Sequence, residues 1–214
     1  ALVIDKTGTL TIPNKNVDFK SASSLPFEER ETLKPHAAET VTMLKERGIE
    51  VWMMSGDNDE ATAFWAAKAG IGHWKSRCLP QDKEDIVRRL QHEGRIVAMV
   101  GDGINDSQAL ALADVSVAMG GGTDVAMNVA QLTLVGDDLR RIPEACALSQ
   151  RTVGMIRQNL FWAFAYNVVS IPLAAGVLHI FGIGFQITPM WASALMAMSS
   201  VSVVCNSLRL RLMK

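Results

Sequence analysis

The stretch ALVIDKTGTLT (residues 1–11) sets an aspartate, Asp5, where an apolar run breaks into a glycine-containing turn. A run such as Leu2-Val3-Ile4, ending on a carboxylate and then Gly8, reads as a buried strand delivering a reactive group to its tip. Further apolar runs of strand length follow at IEVWMM (49–54), RIVAMV (95–100), DVSVAM (114–119) and QLTLV (131–135). Helical segments are expected between them. One spans 35–47, with Pro35 in its first turn and Gly48 as its stop; another spans 59–69 before Gly70. A third, over 80–93, puts Ile86, Val87 and Leu90 on one face and stops at Gly94. Short strands alternating with helices imply an α/β fold, a parallel sheet with helices on both faces.

In such sheets ligands gather at the carboxyl ends of the strands. Three polar clusters fall there: DKTGT after the first strand, SGDN (55–58) after the second and GDGIND (101–106) after the third. Carboxylates converging on one rim repel unless they share a cation. Asp5, Asp102 and Asp106 suit a hard divalent ion with oxygen ligands, most simply Mg²⁺. Backbone N–H groups of the glycine turns, with the Thr7 and Ser55 hydroxyls, suit phosphate oxygens. Lys83, at the start of the third helix, reaches toward the same place as a point charge. The set describes a phosphoryl-transfer site with a carboxylate nucleophile. Asp57 is open to two readings, a cap for the following helix or a contact to substrate.

The net charge of -1 conceals a sorting of charges along the 214 residues. Residues 1–150 hold 16 Lys and Arg against 22 Asp and Glu, whereas residues 151–214 hold 5 bases and no acid. That asymmetry expects two environments, a domain over 1–150 and a different segment over 151–214. From Gln158 to Leu208 there is no charged residue. A membrane span needs roughly 20 mostly apolar residues, so two transmembrane helices are expected, about 156–181 and 189–208, broken by GIGFQITP (182–189). Arg151 and Arg157 before the first, and Arg209, Arg211 and Lys214 after the second, place both ends in the cytoplasm. The expected protein is therefore integral to the cell membrane, with lipid as a partner and its α/β part cytosolic. Cys78, Cys146 and Cys205 form no CxxC pair, so neither a disulfide framework nor a zinc site is expected. The absence of an initiator Met, and a start inside an apparent strand, read as a piece of something longer.

DKTGTLT, SGDN, LPQDK (79–83) and GDGINDSQAL (101–110) together resemble the phosphorylation domain of the P-type ATPases, a branch of the haloacid-dehalogenase-like fold. The resemblance implies that Asp5 becomes an aspartyl-phosphate and that Ser55, Gly56, Asp57, Lys83 and Asn105 surround the phosphate. It implies Mg²⁺ on Asp5, the Thr7 backbone carbonyl, Asp102 and Asp106, with ATP as the substrate of the parent pump. Phosphatases of this fold resemble DxD, whose second Asp serves as general acid and base. Thr7 stands at that position and supplies no carboxylate for proton transfer, so the acyl-phosphate is expected to persist. The C-terminal part resembles the last two helices of the heavy-metal subgroup, the Cu(I) pumps. Tyr166 and Asn167 in the first, and Met196 and Ser200 in the second, match its metal-handling positions, with Met198 and Ser199 between. Methionine thioether is a soft ligand that favours Cu(I) or Ag(I). Met196 also suits packing between helices, and Asn and Ser also suit bonding to neighbouring helices.

Two departures stand out. Only some twenty residues separate Thr11 from Leu33, an insertion over about 12–34 too short for a folded nucleotide-binding domain. The motif that usually reads Asp-x-Leu-Lys/Arg-Pro appears as Glu31-Thr32-Leu33-Lys34-Pro35. The resemblance thus implies the C-terminal part of a Cu(I)-translocating pump, not competent without its actuator, nucleotide-binding and upstream transmembrane parts. Other readings are a membrane-anchored phosphatase for small phosphate esters, and a non-catalytic remnant that associates with a complete pump. No nucleic acid is among the expected partners.

Overall fold

A computed structural model describes residues 1–14, 25–176 and 188–212. The chain divides into two compact units, Ala1–Glu144 and Ala145–Lys214.

The first unit is built on six parallel strands. They are β1 (Leu2–Asp5), β4 (Val51–Met54), β5 (His73–Lys75), β6 (Ala98–Gly101), β7 (Val115–Ala118) and β8 (Leu132–Thr133), in the order β5-β4-β1-β6-β7-β8. All four residues of β1 are buried, as a central strand covered on both faces requires. Alternation along it sorts the core into two layers. Leu2 and Ile4 pack with Val41 and Leu44 of α2 (Ala37–Glu46) and Trp65 of α3 (Asp59–Ala69). Val3 faces the other way, toward Ile86, Val87 and Leu90 of α4 (Pro80–His92) and Ala109 and Leu110 of α5 (Ser107–Leu112). A short helix, α6 (Asp124–Val129), joins that second layer through Ala126.

The expected alternation of strands and helices is therefore present, with additions that periodicity does not show. β5 is a three-residue edge strand, His-Trp-Lys, all of it exposed. A separate two-stranded antiparallel sheet pairs β2 (Thr11–Pro13) with β3 (Glu31–Leu33), and α1 (Phe27–Arg30) precedes β3. Of the short insertion, residues 15–24 lie outside the described residues.

The second unit consists mostly of α7 (Arg141–Ala174), which begins in the first unit, and α8 (Pro189–Leu212). Asn159 donates to Ser207 Oγ at 2.9 Å and Asn206 to Asn159 Oδ1 at 2.8 Å, tying the two helices. Both helices are present where spans were expected, but the expectation of membrane-crossing length and apolarity is not met. Among the described residues no helix is long and apolar enough to cross a membrane. Gln158, Asn159, Tyr166, Asn167 and Ser170 dilute α7, and five serines with Asn206 dilute α8. The remainder of the first expected span, 177–181, and most of the expected break, 182–187, lie outside the described residues.

Candidate active site

Strand register brings the polar clusters to one edge. Asp5 of β1 lies opposite Met54 of β4, and Ile4 opposite Val100 of β6. The residues that follow, Ser55 on one side and Asp102 on the other, therefore leave the sheet at the same carboxyl edge as Asp5. β1 is also where chain order reverses, since β4 and β5 lie on one side of it and β6 to β8 on the other.

The cleft there has a volume of about 440 Å³ and is lined by Asp5, Thr7, Lys83, Asp102, Asn105 and Asp106 among others. One carboxylate oxygen from each of Asp5, Asp102 and Asp106 lies within 4.8 Å of the others. Lys83, in the first turn of α4, ion-pairs with Asp5 and reaches Asp106 Oδ1 at 2.6 Å. All three of these side chains are buried, Asp102 less so.

The electrostatics follow from burial. Burial, reinforced by the Asp106 charge, pushes the Asp5 carboxyl up to about 7 against the pull of Lys83. Burial and the same neighbour raise Asp102. Burial works against the Lys83 ammonium, yet the carboxylates of Asp5 and Asp106 outweigh it and hold its pKa above the ordinary lysine value. Three carboxylates facing one ammonium leave negative charge uncompensated. That surplus, with an all-oxygen donor set, fits a hard divalent cation such as Mg²⁺.

The backbone allows this crowding at two glycines. Gly8 sits at φ +77, and a Cβ there would fall inside the Asp102 carboxylate. Gly122 lies so close to Asp102 that a Cβ would stand 2.8 Å from its carbonyl oxygen, which also accepts the Thr123 N–H at 2.8 Å. The loop after β7 thus buttresses Asp102 from behind, a role the spacing of residues did not disclose.

The SGDN loop is fixed by neighbours on both flanks. Ser55 is buried, and its Oγ accepts the Asp57 N–H at 3.1 Å. The Asp57 and Ser55 carbonyls accept the N–H groups of Arg77 and Cys78 at 2.7 and 2.9 Å. Asn58, not Asp57, caps α3, its Oδ1 accepting from the Ala61 N–H at 2.9 Å. The Asp57 side chain instead lines the cleft and ion-pairs with Lys6. Gly56 and Asn105 also line the cleft. Thr7 is exposed at its mouth.

Lys6 is the residue that sequence reasoning passed over. Its ammonium is buried between Asp57 and Glu31, and Glu31 Oε2 also accepts the Thr11 hydroxyl at 2.7 Å. A lysine inside a run of buried residues is the signal that was available, since such a charge requires partners. Lys34, beyond β3, is likewise buried and faces Asp137 Oδ1 at 3.4 Å.

The positions expected to handle a transported metal lie on α7 and α8. Tyr166 tilts against Trp162 with ring centroids 6.5 Å apart, and Asn167 donates to the Ala163 carbonyl at 3.0 Å. Ser200 donates to the Met196 carbonyl at 3.3 Å, and the Met196 side chain is exposed. Asn167 and Ser200 thus bond to their own helices one turn back.

Residues 20–114 match the family model of haloacid dehalogenase-like hydrolases. The chain is 47% identical over 195 residues to a copper-exporting P-type ATPase of Legionella pneumophila, covering 91% of the chain and 26% of that protein. It is 49% identical over 182 residues to a probable copper-transporting ATPase, PacS, of Synechocystis, covering 85% of the chain and 24% of that protein. The crystal structure of a zinc-transporting PIB-type ATPase in its E2.Pi state superposes with a TM-score of 0.75 at 33% identity, covering 84% of the chain and 28% of that structure. The chain belongs to the heavy-metal P-type ATPases. It spans about a quarter of the length of the curated relatives it matches. The β2–β3 pairing closes the short insertion at its root: Thr11 faces Leu33 and Pro13 faces Glu31.

Proposed function

We propose that this chain is the phosphoryl-accepting part of a Cu(I)-exporting P-type ATPase, with Asp5 as the residue that carries the phosphate. The observation that bears most weight is the juxtaposition of Asp5, Lys83, Asp106 and Asp102 at the carboxyl edge of the sheet. A carboxylate so placed attacks the terminal phosphorus of ATP; the new Asp5–phosphorus bond forms as the bond to the ADP oxygen breaks. Lys83 stabilises negative charge on Asp5 and on the incoming phosphoryl oxygens. The Ser55 hydroxyl, Gly56 and Asn105 lie where phosphate oxygens are received, and Asp57 anchors that loop through Lys6. Asp5, Asp102, Asp106 and the Thr7 carbonyl would hold Mg²⁺, which supplies charge neutralisation between the carboxylates and the phosphoryl group. Thr7 provides no base for water, so the aspartyl-phosphate lives long enough to be coupled to transport.

The transport half of the reading rests on Tyr166, Asn167, Met196 and Ser200, a donor set with one soft thioether that favours Cu(I) or Ag(I). Exposed Phe161, Trp162, Phe164, Val168, Val169 and Ile171 on α7, with Met190, Trp191, Val201 and Val204 on α8, call for an apolar cover. In the whole pump lipid and the upstream helices provide it, the first unit staying in the cytoplasm. The actuator and the nucleotide-binding part act on Asp5 from elsewhere in that pump.

The test is phosphorylation of membranes that hold the whole pump. Label from ATP should be acid-stable, hydroxylamine-labile, suppressed by orthovanadate and lost in Asp5→Asn. A label that survives Asp5→Asn sinks the reading. Steady turnover of p-nitrophenyl phosphate by the chain, abolished by Asp5→Asn, would favour the membrane-anchored phosphatase instead.

A further inference from the structure

A second buried lysine stands beside the Asp102 carboxylate and is turned away from it. Lys34 is 5% exposed, and its ammonium faces Asp137 Oδ1 at 3.4 Å rather than Asp102. Lys83, by contrast, places its ammonium directly on Asp5 and Asp106.

The backbone ties Lys34 and Asp137 to the two sides of Asp102. On one side the Lys34 N–H donates to the Leu10 carbonyl at 2.9 Å, and Gly8, two residues before Leu10, abuts the Asp102 carboxylate. On the other, the Asp137 carboxylate lies so close to Gly121 that a Cβ there would stand 2.9 Å from Oδ1. Gly122, the next residue, abuts the Asp102 carbonyl in the same way. Successive Cα atoms are about 3.8 Å apart, so a single residue's width separates the contact on Asp137 from the contact on Asp102. A ring of contacts thus encircles Asp102, and the Lys34–Asp137 pair closes it.

The charges agree with this geometry. Burial and Asp106 push the Asp102 carboxyl up, and Lys34 is foremost among the groups that pull it down. A buried ammonium requires a carboxylate partner, and both Asp137 and Asp102 could serve. Asp138, next in the chain, is already held by Arg140 at 2.8 Å. Pairing of Lys34 with Asp102 would cancel the charge of a carboxylate that a hard cation needs as an ionised oxygen donor.

We propose that Asp137 is a positioning residue for the Mg²⁺ site: it holds the Lys34 ammonium off Asp102 and so keeps that carboxylate available to the metal. The inference rests on the reading of Asp5, Asp102 and Asp106 as Mg²⁺ ligands given above. Asp137 is not among the described residues that line the cleft, so it acts through Lys34. Once Asp137 is neutralised, Lys34 turns to Asp102 and competes with the metal for it. Removal of the lysine as well should undo that competition.

The experiment titrates the full chain with Mn²⁺, the EPR signal of the free ion reporting binding and Mg²⁺ displacing it. Asp137→Asn should weaken Mn²⁺ binding about tenfold, equal to about 1.4 kcal/mol, and Asp137→Ser should repeat the loss. Asp137→Asn combined with Lys34→Met should bind within about threefold of the unsubstituted chain, because the competing ammonium is gone. Asp137→Glu should bind as the unsubstituted chain does. A role in stability alone predicts another order, with the double variant no stronger than Asp137→Asn. That order, or undiminished binding by Asp137→Asn and Asp137→Ser, overturns the proposal. Asp102→Asn separates the two levels of inference. If Asp102→Asn loses Mn²⁺ while Asp137→Asn keeps it, the role of Asp137 falls and the Mg²⁺ ligands stand. If the unsubstituted chain binds no better than Asp102→Asn, both fall.

Discussion

Asp5 combines two demands that conflict in the absence of a cation: it must be buried to exclude water, and ionised to attack. Its pKa of about 7, against an ordinary 3.8, expresses that conflict. The metal-free folded protein therefore keeps a proton that the unfolded chain has lost. The associated stability is present below about 4 and is lost as the pH rises through about 7. Asp5→Asn should flatten that loss and stabilise the metal-free protein at pH 8, by on the order of 1–4 kcal/mol. Urea midpoints across this range check it, and an unchanged pH slope in Asp5→Asn would rule it out. Thr7→Asp should act on the other side of the chemistry, shortening the lifetime of the phosphorylated state by about 10²-fold or more as a proton-transfer group is restored. A chase of labelled protein measures that lifetime. Gly8→Ala should cost about 1–2 kcal/mol in backbone alone, and should weaken Mg²⁺-dependent phosphorylation further by displacing the Asp102 carboxylate. Much of this site is legible in the sequence. Asp5, Ser55, Asp102 and Asp106 follow strands whose tips must share an edge, and Lys83 opens a helix that starts beside them. The Lys6–Glu31–Asp57 group is not legible, because its members lie 25 and 51 positions from Lys6 and meet only through the tertiary fold.

Among the elements, α2, α3 and α4 fall close to where periodicity and glycine stops place them, and α3 spans the expected 59–69. Asn58→Ala should destabilise α3 by about 1 kcal/mol through loss of its cap, whereas Asp57→Ala should leave the cap intact; thermal melts of the two variants discriminate. β5 escaped notice for a physical reason. A three-residue exposed edge strand buries too little to impose an apolar pattern. The β2–β3 hairpin escaped notice for another. Its pairing depends on Thr11 and Glu31 converging on Lys6 rather than on a run of apolar residues. Glu31 occupies the place of an Asp in the motif it resembles, and its carboxylate reaches the buried ammonium. Glu31→Ala should cost about 3 kcal/mol, the penalty for stripping a partner from a buried charge. Because Lys6 neighbours the nucleophile, the same variant should also slow phosphorylation of Asp5, whereas a surface variant with an equal fall in melting temperature should leave that rate unchanged.

Across the whole chain, the sorting of charge matches a sorting of surface. The acidic first unit encloses a two-layer core, while α7 and α8 display large apolar side chains and carry no acid beyond Glu144. Composition made that contrast plain; it did not reveal that the polar residues of α7 and α8 keep each described helix below the apolarity of a membrane span. The full chain should nonetheless float with neutral phosphatidylcholine vesicles, and added salt should not release it, because apolar area rather than charge drives the contact. Release by salt would point to charge instead. The closed root of the hairpin bears on how such a chain changes over generations. Where Thr11 and Leu33 already face one another, the segment between them enters and leaves the fold at a single doorway. Doubling the length of a flexible segment at such a doorway costs only about 0.6 kcal/mol in closure entropy. Whole modules can thus be gained or shed there while the six-stranded sheet and its carboxylates keep their places.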